Sequence, residues 1–155
     1  MTTQQRLFPS PQEVLTSDDW YTPRWIFDKL DLRFDLDVAA PPGGVSWIPA
    51  ENYLTMEQDG LSTEWIGRVW MNPPYSNPKP WVNKFLEHKN GIALLPTSKG
   101  AWHQTLWESK ADWVALPPMR FESPTKGLAK GTIPTRCWLV GIGYKEQLSR
   151  FGKVR

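Results

Sequence analysis

Apolar residues recur along the chain at two different spacings, and these spacings predict an alternation of helices and strands. Thr22 suits an N-cap and Pro23 the first helical position, so we expect a helix from Pro23 to residue 30. Further helical spacing lies at 80–88 and 101–110, and the stretch 45–59 leaves room for one short strand. Strands are predicted where runs are short and apolar or alternating: 34–39, 68–71, 91–96, 113–116 and 137–143.

Strands separated by helices are typical of an α/β domain with a mostly parallel, doubly wound sheet. The run at 91–96 is almost entirely apolar, as expected for a central strand, and the last strand is a candidate for an antiparallel one. Ligands of such sheets bind where the strands end. We therefore expect the functional residues to follow the strands directly.

Composition limits the chain to few classes of protein. Its 155 residues suffice for one domain, placed at 18–155, without a separate target-recognition domain, while 1–17 lacks periodicity and is predicted to be a flexible arm. No apolar run approaches the roughly 20 residues of a membrane helix, and a signal peptide is not evident. Cys137 is the single cysteine, which excludes an internal disulfide. We expect a cytoplasmic protein without a membrane partner.

The most informative local pattern is Asn72-Pro73-Pro74-Tyr75, directly after the predicted strand 68–71. Proline has a fixed φ and no N–H, so the main chain of this loop offers mainly carbonyl oxygens. Asn72 adds an amide oxygen, and Tyr75 adds an aromatic face. The combination suits a flat substrate that carries an NH2 group. The alternative interpretation of these residues is an ordinary turn after a strand.

Three other features are candidates for binding. The helix that starts at Pro23 presents N–H groups near Tyr21 and Thr22, which favour a carboxylate. Asp37 ends a predicted strand and is either a ligand or a simple strand-end carboxylate. The long segment 117–136 is basic, and irregular stretches of this length are usually functional or disordered. A net charge of +2 permits a polyanionic partner without requiring one.

Four segments occur in a characteristic order: Asp18-x-Trp20-x-Thr22-Pro23, Asp-Val-Ala-Ala at 37–40, Asp-Gly-Leu-x-x-x-Trp at 59–65, and Asn-Pro-Pro-Tyr-Ser at 72–76. This order resembles the small S-adenosylmethionine-dependent DNA adenine (N-6) methyltransferases of bacteriophages and prophages. Arg120-Phe121, after a predicted strand, resembles a late element of the same group. The resemblance covers residues 18–143, nearly the whole chain.

The resemblance implies a Rossmann-like class I methyltransferase fold, in reduced form, within a bacterial host cell. It implies transfer of a methyl group from S-adenosylmethionine, without a metal, to the exocyclic amine of an adenine flipped out of double-stranded DNA, with a homodimer as a candidate assembly. One departure is the loop after Asp37. The glycine-rich loop usual for this donor is replaced by a segment at 39–44 that contains Pro41 and Pro42.

By this resemblance, Thr22 would bind the methionine carboxylate of the donor, Asp37 its amine, and Asp59 its ribose or adenine. The implied catalytic residues are Asn72, Pro73, Pro74 and Tyr75. The implied cofactor residues are Tyr21, Thr22, Pro23, Asp37, Ala39 and Asp59. The implied nucleic-acid residues are Tyr75, Ser76, Lys79, Arg120, Lys126, Lys130 and Arg136.

Two alternatives remain open from the sequence. An amide NH2 would fit the same loop, so RNA or a protein glutamine could be the acceptor. A nucleic-acid-binding domain of the same fold with weak or no catalysis is the other alternative. His88 and His103 lie in predicted helices, and we interpret both as structural rather than as acid-base groups.

Overall fold

The computed structural model describes residues 21–98, 100–121 and 136–155, and it forms a mixed α/β structure. The predicted N-terminal arm lies outside these residues. The helices are α1 (Arg24–Leu30), α2 (Lys79–His88), α3 (Ala101–Trp107) and α4 (Lys145–Ser149). The strands are β1 (Phe34–Asp37), β2 (Ala50–Tyr53), β3 (Val69–Met71), β4 (Gly91–Pro96), β5 (Asp112–Ala115) and β6 (Cys137–Ile142).

All six strands belong to one sheet with the order β2-β1-β3-β4-β6-β5. The strands β2, β1, β3 and β4 pair in parallel, whereas β6 is antiparallel to both β4 and β5. The predicted mostly parallel sheet with an antiparallel C-terminal strand is therefore confirmed. Five strands end, and β6 begins, along one side of the sheet, which we call the carboxyl edge.

The sheet has an apolar core on each face. In β3, Trp70 contributes to one core, while Val69 and Met71 contribute to the other. Phe27 of α1 packs edge-on against Trp70 with ring centroids 4.7 Å apart. Phe85 of α2 packs in the opposite core. A strand of three residues can be wholly apolar here because helices cover both of its faces.

Several sequence-based boundaries were wrong. Pro23, not Thr22, is the N-cap residue of α1, and no side chain caps this helix. Thr22 is fully buried, and its hydroxyl is used elsewhere. The helix predicted to reach residue 110 ends at Trp107, and α4 was not predicted. No helix among the described residues is long and apolar enough to cross a membrane.

The Asp-Gly-Leu-x-x-x-Trp segment at 59–65 lies in the connection between β2 and β3 and packs between the end of β1 and α2. A Cβ on Gly60 would lie 2.2 Å from the carbonyl oxygen of Val38, so the close approach requires glycine. The indole N–H of Trp65 donates to the Gly60 carbonyl at 2.7 Å. Three loop carbonyls accept hydrogen bonds from the Lys84 ammonium of α2, those of Gly60, Leu61 and Thr63.

Replacing Lys84 by Met should therefore destabilise the fold. The variant keeps an apolar stem against Trp65 but leaves three carbonyls without their donor, and we expect a loss of about 1–3 kcal/mol in the free energy of unfolding. Urea denaturation measures this loss. Lys145→Met, at an exposed position in α4, is the matched control and should change stability by less than about 0.5 kcal/mol. Equal effects of the two substitutions would contradict the role of Lys84.

Candidate active site at the carboxyl edge

The parallel pairing of β1 with β3 brings two predicted site residues to neighbouring strand ends. Asp37, the last residue of β1, is in register with Trp70 of β3, and Asn72 follows β3 directly. The chain passes from β1 to β2 on one side and returns to β3 on the other side of β1. Such a reversal opens a crevice between the strand ends, where α/β sheets bind ligands.

A cavity of about 450 Å³ lies beside this crevice, between the ends of β1 and β2 and the loop at 43–48. We call it the edge cavity. Two carboxylates line it, those of Asp37 and Glu51, together with the rings of Tyr21, Trp47 and Tyr53. Its volume is in the range of about 300–1,000 Å³ that is typical of small-molecule sites. The lining can bind a cationic ligand that also carries a flat ring.

The loop after β1 presents glycines rather than prolines to the edge cavity. Gly43 and Gly44 line it, and both have positive φ angles, of 81° and 73°. A Cβ on Gly44 would lie 2.9 Å from the ring of Tyr53. Pro41 accepts a hydrogen bond from the Gly44 N–H at 2.9 Å and belongs to the turn, not to the cavity lining. The pyrrolidine rings therefore do not obstruct the cavity wall.

Asp37 is a buried carboxyl group with only 3% of its surface exposed. Its Oδ1 accepts a hydrogen bond from the Ala39 N–H at 3.2 Å. Burial raises the pKa of Asp37 from 3.8 to about 7, and the Ala39 N–H partly opposes this rise. A cation placed beside a buried carboxyl group of this kind stabilises its ionised form, because the cation offsets the cost of losing water.

Thr22 connects the edge cavity with the Asn-Pro-Pro-Tyr loop (residues 72–75). The Nδ2 group of Asn72 donates to the Thr22 hydroxyl oxygen at 3.2 Å. The backbone carbonyl of Thr22 accepts a hydrogen bond from the Trp47 indole N–H at 2.8 Å. Trp47 is in turn part of the cavity wall. Two hydrogen bonds thus link the cavity to the amide of Asn72.

Tyr75 is held in place by its hydroxyl group. The hydroxyl donates to the Leu94 carbonyl at 3.2 Å and lies 3.9 Å from the Cys137 sulfur. Burial raises the pKa of Tyr75 well above its usual value of 10, and the neighbouring thiol adds to the rise. Burial also raises the pKa of Cys137, to about 11. Both groups are protonated at neutral pH, so Tyr75 is an anchored ring rather than an acid or base.

The two proline carbonyls of the loop differ in their hydrogen bonding. The carbonyl of Pro74 accepts the Asn77 N–H at 3.3 Å and so closes a turn. Within the described parts of the chain, the carbonyl of Pro73 accepts no backbone hydrogen bond. Of the two, Pro73 therefore provides the better acceptor for a ligand.

The ends of the basic segment 117–136 are fixed at the carboxyl edge. The Leu116 N–H donates to the Cys137 carbonyl at 3.0 Å, and the Thr97 N–H donates to the Arg136 carbonyl at 2.9 Å. Arg120 and Arg136 are exposed, as are Ser76 and Lys79 beside the Asn-Pro-Pro-Tyr loop. Lys126 and Lys130 lie outside the described residues.

Comparison with known proteins identifies the family. The sequence model of the protein family described as DNA N-6-adenine-methyltransferase (Dam) matches residues 10–114. The chain belongs to the Dam family. The resemblance inferred from the sequence is thus confirmed. The matched residues of this Dam-family chain include the edge cavity and the Asn-Pro-Pro-Tyr loop, whereas Arg120 and Arg136 lie beyond them.

Two phage proteins illustrate the similarity to the Dam family. A "DNA N-6-adenine-methyltransferase" of Haemophilus phage HP1 is 43% identical over 88 residues, covering 50% of this chain and 49% of that protein. A protein of the same name from Escherichia phage T1 is 34% identical over 110 residues, covering 63% and 44%. The chain thus spans about half the length of these curated relatives. No solved structure matches it.

The structure of this Dam-family chain brings some of the predicted cofactor residues together and separates others. Tyr21 and Asp37 line the edge cavity, but Thr22, Pro23 and Ala39 do not. Thr22 contacts Asn72, and the Ala39 N–H contacts Asp37. Thr22 thus lies between the edge cavity and the Asn-Pro-Pro-Tyr loop, and its contact with the donor stays a prediction.

Asp59 also lies outside the cavity lining. It adopts a φ of 55° and bonds within its own turn, to the Ser62 hydroxyl at 2.7 Å and the Leu61 N–H at 3.2 Å. These bonds lower the pKa of Asp59. We therefore assign Asp59 to the turn and leave it out of the proposed donor site.

Sequence reasoning missed most of the cavity lining, including its aromatic and charged residues Trp47, Glu51 and Tyr53. Glu51 and Tyr53 belong to β2, whose residues are mostly exposed and show no apolar pattern. The available signal was the pair Gly43-Gly44, which marks a close approach of backbone after β1. Among the described residues, no group of three His, Cys, Asp or Glu side chains could hold a metal ion.

Replacing Asp37 by Asn should change the pH dependence of stability. Because the folded pKa of about 7 exceeds the unfolded value of 3.8, this carboxyl group destabilises the fold progressively as pH rises through that window. The stability of Asp37→Asn relative to wild type should therefore rise with pH, by a few kcal/mol at most, and level off above the folded pKa. Urea denaturation at successive pH values measures this difference.

Asp59→Asn is the control with the opposite sign. The pKa of Asp59 is lowered in the folded chain, so this variant should lose stability relative to wild type as pH rises through the acidic range. If the difference in stability between Asp37→Asn and wild type did not change with pH, this result would contradict the burial of an ionisable group at that site.

Proposed function

We propose that this chain is a site-specific DNA methyltransferase that transfers a methyl group from S-adenosylmethionine to the exocyclic amine of a flipped-out adenine. One observation carries the proposal. A cavity with a buried carboxyl group lies beside the strand end that presents Asn72-Pro73-Pro74-Tyr75, and Thr22 connects the two. The names of the phage relatives support adenine in DNA as the acceptor.

The order of strands supports a Rossmann-like class I methyltransferase fold in reduced form. Four parallel strands are followed in the sheet by the antiparallel β6 and the edge strand β5. The switch beside β1 supplies the ligand crevice, as in other doubly wound sheets. We extend the same proposal to residues 18–155 as one methyltransferase domain, whose loops would contribute to target selection.

The edge cavity fits the chemical groups of the donor. S-Adenosylmethionine carries an ammonium group, a carboxylate, a sulfonium, two ribose hydroxyls and a flat adenine. Asp37 would bind the ammonium, and Thr22 with the neighbouring N–H groups would bind the carboxylate beside the cavity. Glu51, within β2, would accept hydrogen bonds from the ribose. Tyr21, Trp47 and Tyr53 offer faces to the adenine and to positive charge. When bound, the donor supplies an electrophilic methyl group.

The Asn-Pro-Pro-Tyr loop would orient the target amine. The lone pair of an adenine amine is delocalised into the ring, which makes the nitrogen a poor nucleophile. Acceptance of its two N–H groups by the Asn72 amide oxygen and the Pro73 carbonyl would draw that nitrogen toward tetrahedral geometry. Each hydrogen bond contributes only about 1 kcal/mol. Alignment contributes more, since holding reactants in near-attack geometry can supply about 7–11 kcal/mol.

Tyr75 would receive the flipped base. Rotating a base out of the duplex costs a few kcal/mol, and stacking on an aromatic ring returns about 1–3 kcal/mol. The hydroxyl bonds of Tyr75 hold its ring in one position before DNA arrives. Because the hydroxyl is committed to Leu94 and Cys137, only the ring is available for the base.

The basic residues along the carboxyl edge would contact the DNA backbone. Lys79, Arg120 and Arg136 are exposed there, and Ser76 extends the same surface. The proposal includes Lys126 and Lys130 from the sequence alone. Contacts of this kind give affinity and register but no sequence information. A homodimer is part of the proposal because one small domain covers little of a duplex. The proposed location is the cytoplasm of a bacterial host.

Methyl transfer from labelled S-adenosylmethionine to unmethylated DNA tests the function. We expect label on adenine N6. Asn72→Ala should lower kcat by about 10²–10³-fold, as for other lost electrostatic contacts to a reacting group. Asn83→Ala, an exposed asparagine of α2, is the matched control and should retain activity. RNA and glutamine-containing protein serve as competing acceptors. Label on either of these, or none on any DNA while the donor binds, would contradict the proposal.

Donor binding should depend on the ionisation of Asp37. Its pKa of about 7 means that below neutral pH a cationic donor must displace a proton. We therefore expect affinity to rise by up to about tenfold per pH unit between about pH 5.5 and 7, measured by calorimetry with S-adenosylmethionine. Asp37→Asn should bind weakly with no such slope. Glu51→Gln should bind weakly but keep the slope, and a flat wild-type profile would count against Asp37 as the ammonium site.

A further inference from the structure

Thr22 stands between the edge cavity and the Asn-Pro-Pro-Tyr loop without lining the cavity. We propose that Thr22 is a positioning residue whose buried hydroxyl holds the side-chain amide of Asn72 at a fixed place beside the target amine. This inference rests on the proposed function and deepens it.

The proposed role of Asn72 requires its amide to be held in place. An asparagine side chain rotates about two bonds, and other rotamers move the amide away from the position where its oxygen can accept from the target amine. Ordering such a side chain costs conformational entropy. An Asn in this role therefore needs a partner that fixes its amide.

The Thr22 hydroxyl is that partner. It accepts a hydrogen bond from the Asn72 Nδ2 at 3.2 Å. Thr22 is fully buried and Asn72 is half-buried, so water competes little for this bond. A hydrogen bond in such surroundings is stronger than at the surface.

Three features restrict the conformation of Thr22. Pro23 follows it and restricts Thr22 to extended conformations. Its carbonyl accepts the Trp47 indole N–H at 2.8 Å. The β-branched side chain of threonine has few χ1 positions. The hydroxyl thus has a defined place relative to β3, which explains why the side chain does not cap α1.

Thr22 also joins the two halves of the site, because the Trp47 ring that donates to its carbonyl forms part of the cavity wall. The bond from Trp47 to the Thr22 carbonyl and the bond from Asn72 to the Thr22 hydroxyl form one continuous chain. The wall of the edge cavity and the amide of Asn72 are therefore positioned by one residue.

Thr22→Val and Thr22→Ser test the inference. Valine keeps the shape of threonine but lacks the hydroxyl, whereas serine keeps the hydroxyl. We expect Thr22→Val to lower kcat about tenfold or more, with the Kd of the donor and the KM for DNA changed by less than about threefold, because only the bond to the amide is lost. Thr22→Ser should restore kcat to within about threefold of wild type. Equal activity of all three proteins would overturn the proposal.

Asn72→Ala provides the background that separates positioning from a packing defect. This variant lacks the amide that the Thr22 hydroxyl holds. In this background Thr22→Val should lower the residual kcat much less than in wild type, a non-additivity that a general packing defect would not produce. The same loss in both backgrounds would overturn the proposal.

The side-chain NH2 resonances of Asn72, from ¹⁵N NMR, give a readout besides activity. Thr22→Val should shift these resonances, whereas Thr22→Ser should leave them near their wild-type positions. Resonances unmoved by Thr22→Val would overturn the proposal even if the activity of Asn72→Ala is too low to measure. A wild-type protein that transfers no methyl group to DNA would contradict the proposed function, while the resonances would still test the hydrogen bond.

Discussion

The parallel pairing of β1 with β3 is the constraint on which the site depends. It places the end of β1, with Asp37, next to the end of β3, where the chain enters the Asn-Pro-Pro-Tyr loop. Both strands are short, so the pairing is maintained by the cores on the two faces, including Trp70 on one side and Met71 on the other. A shift of one residue would move Trp70 to the wrong face and Asp37 away from the cavity.

The edge of the sheet concentrates groups that are costly to the folded state. A carboxyl group with a pKa near 7 lies in a largely apolar environment, and two glycines in left-handed conformations form the adjacent turn. Such features are typical of places where a ligand completes the structure. The loop at 59–65 lies beside this edge. The Lys84 ammonium of α2 and the Trp65 indole N–H hold it by donating hydrogen bonds to the Gly60 carbonyl.

Much of the architecture could be predicted from the sequence because the buried strands have clear patterns. The bounds of β4 were predicted correctly, and the Asn-Pro-Pro-Tyr loop was expected where it occurs. The edge strand β2 was only a possibility, since three of its four residues are exposed and alternation is absent. The role of Thr22 could not be found, because N-capping depends on local spacing, whereas its bond to Asn72 spans 50 positions.

The anchored hydroxyl of Tyr75 has a consequence for the entropy of recognition. An exposed aromatic side chain loses rotational freedom when a base stacks on it, and this loss weakens binding. In this protein the hydrogen bond to Leu94 removes that freedom when the chain folds. The entropic cost then appears in protein stability instead of in DNA affinity, and the ring meets each incoming base as a rigid surface.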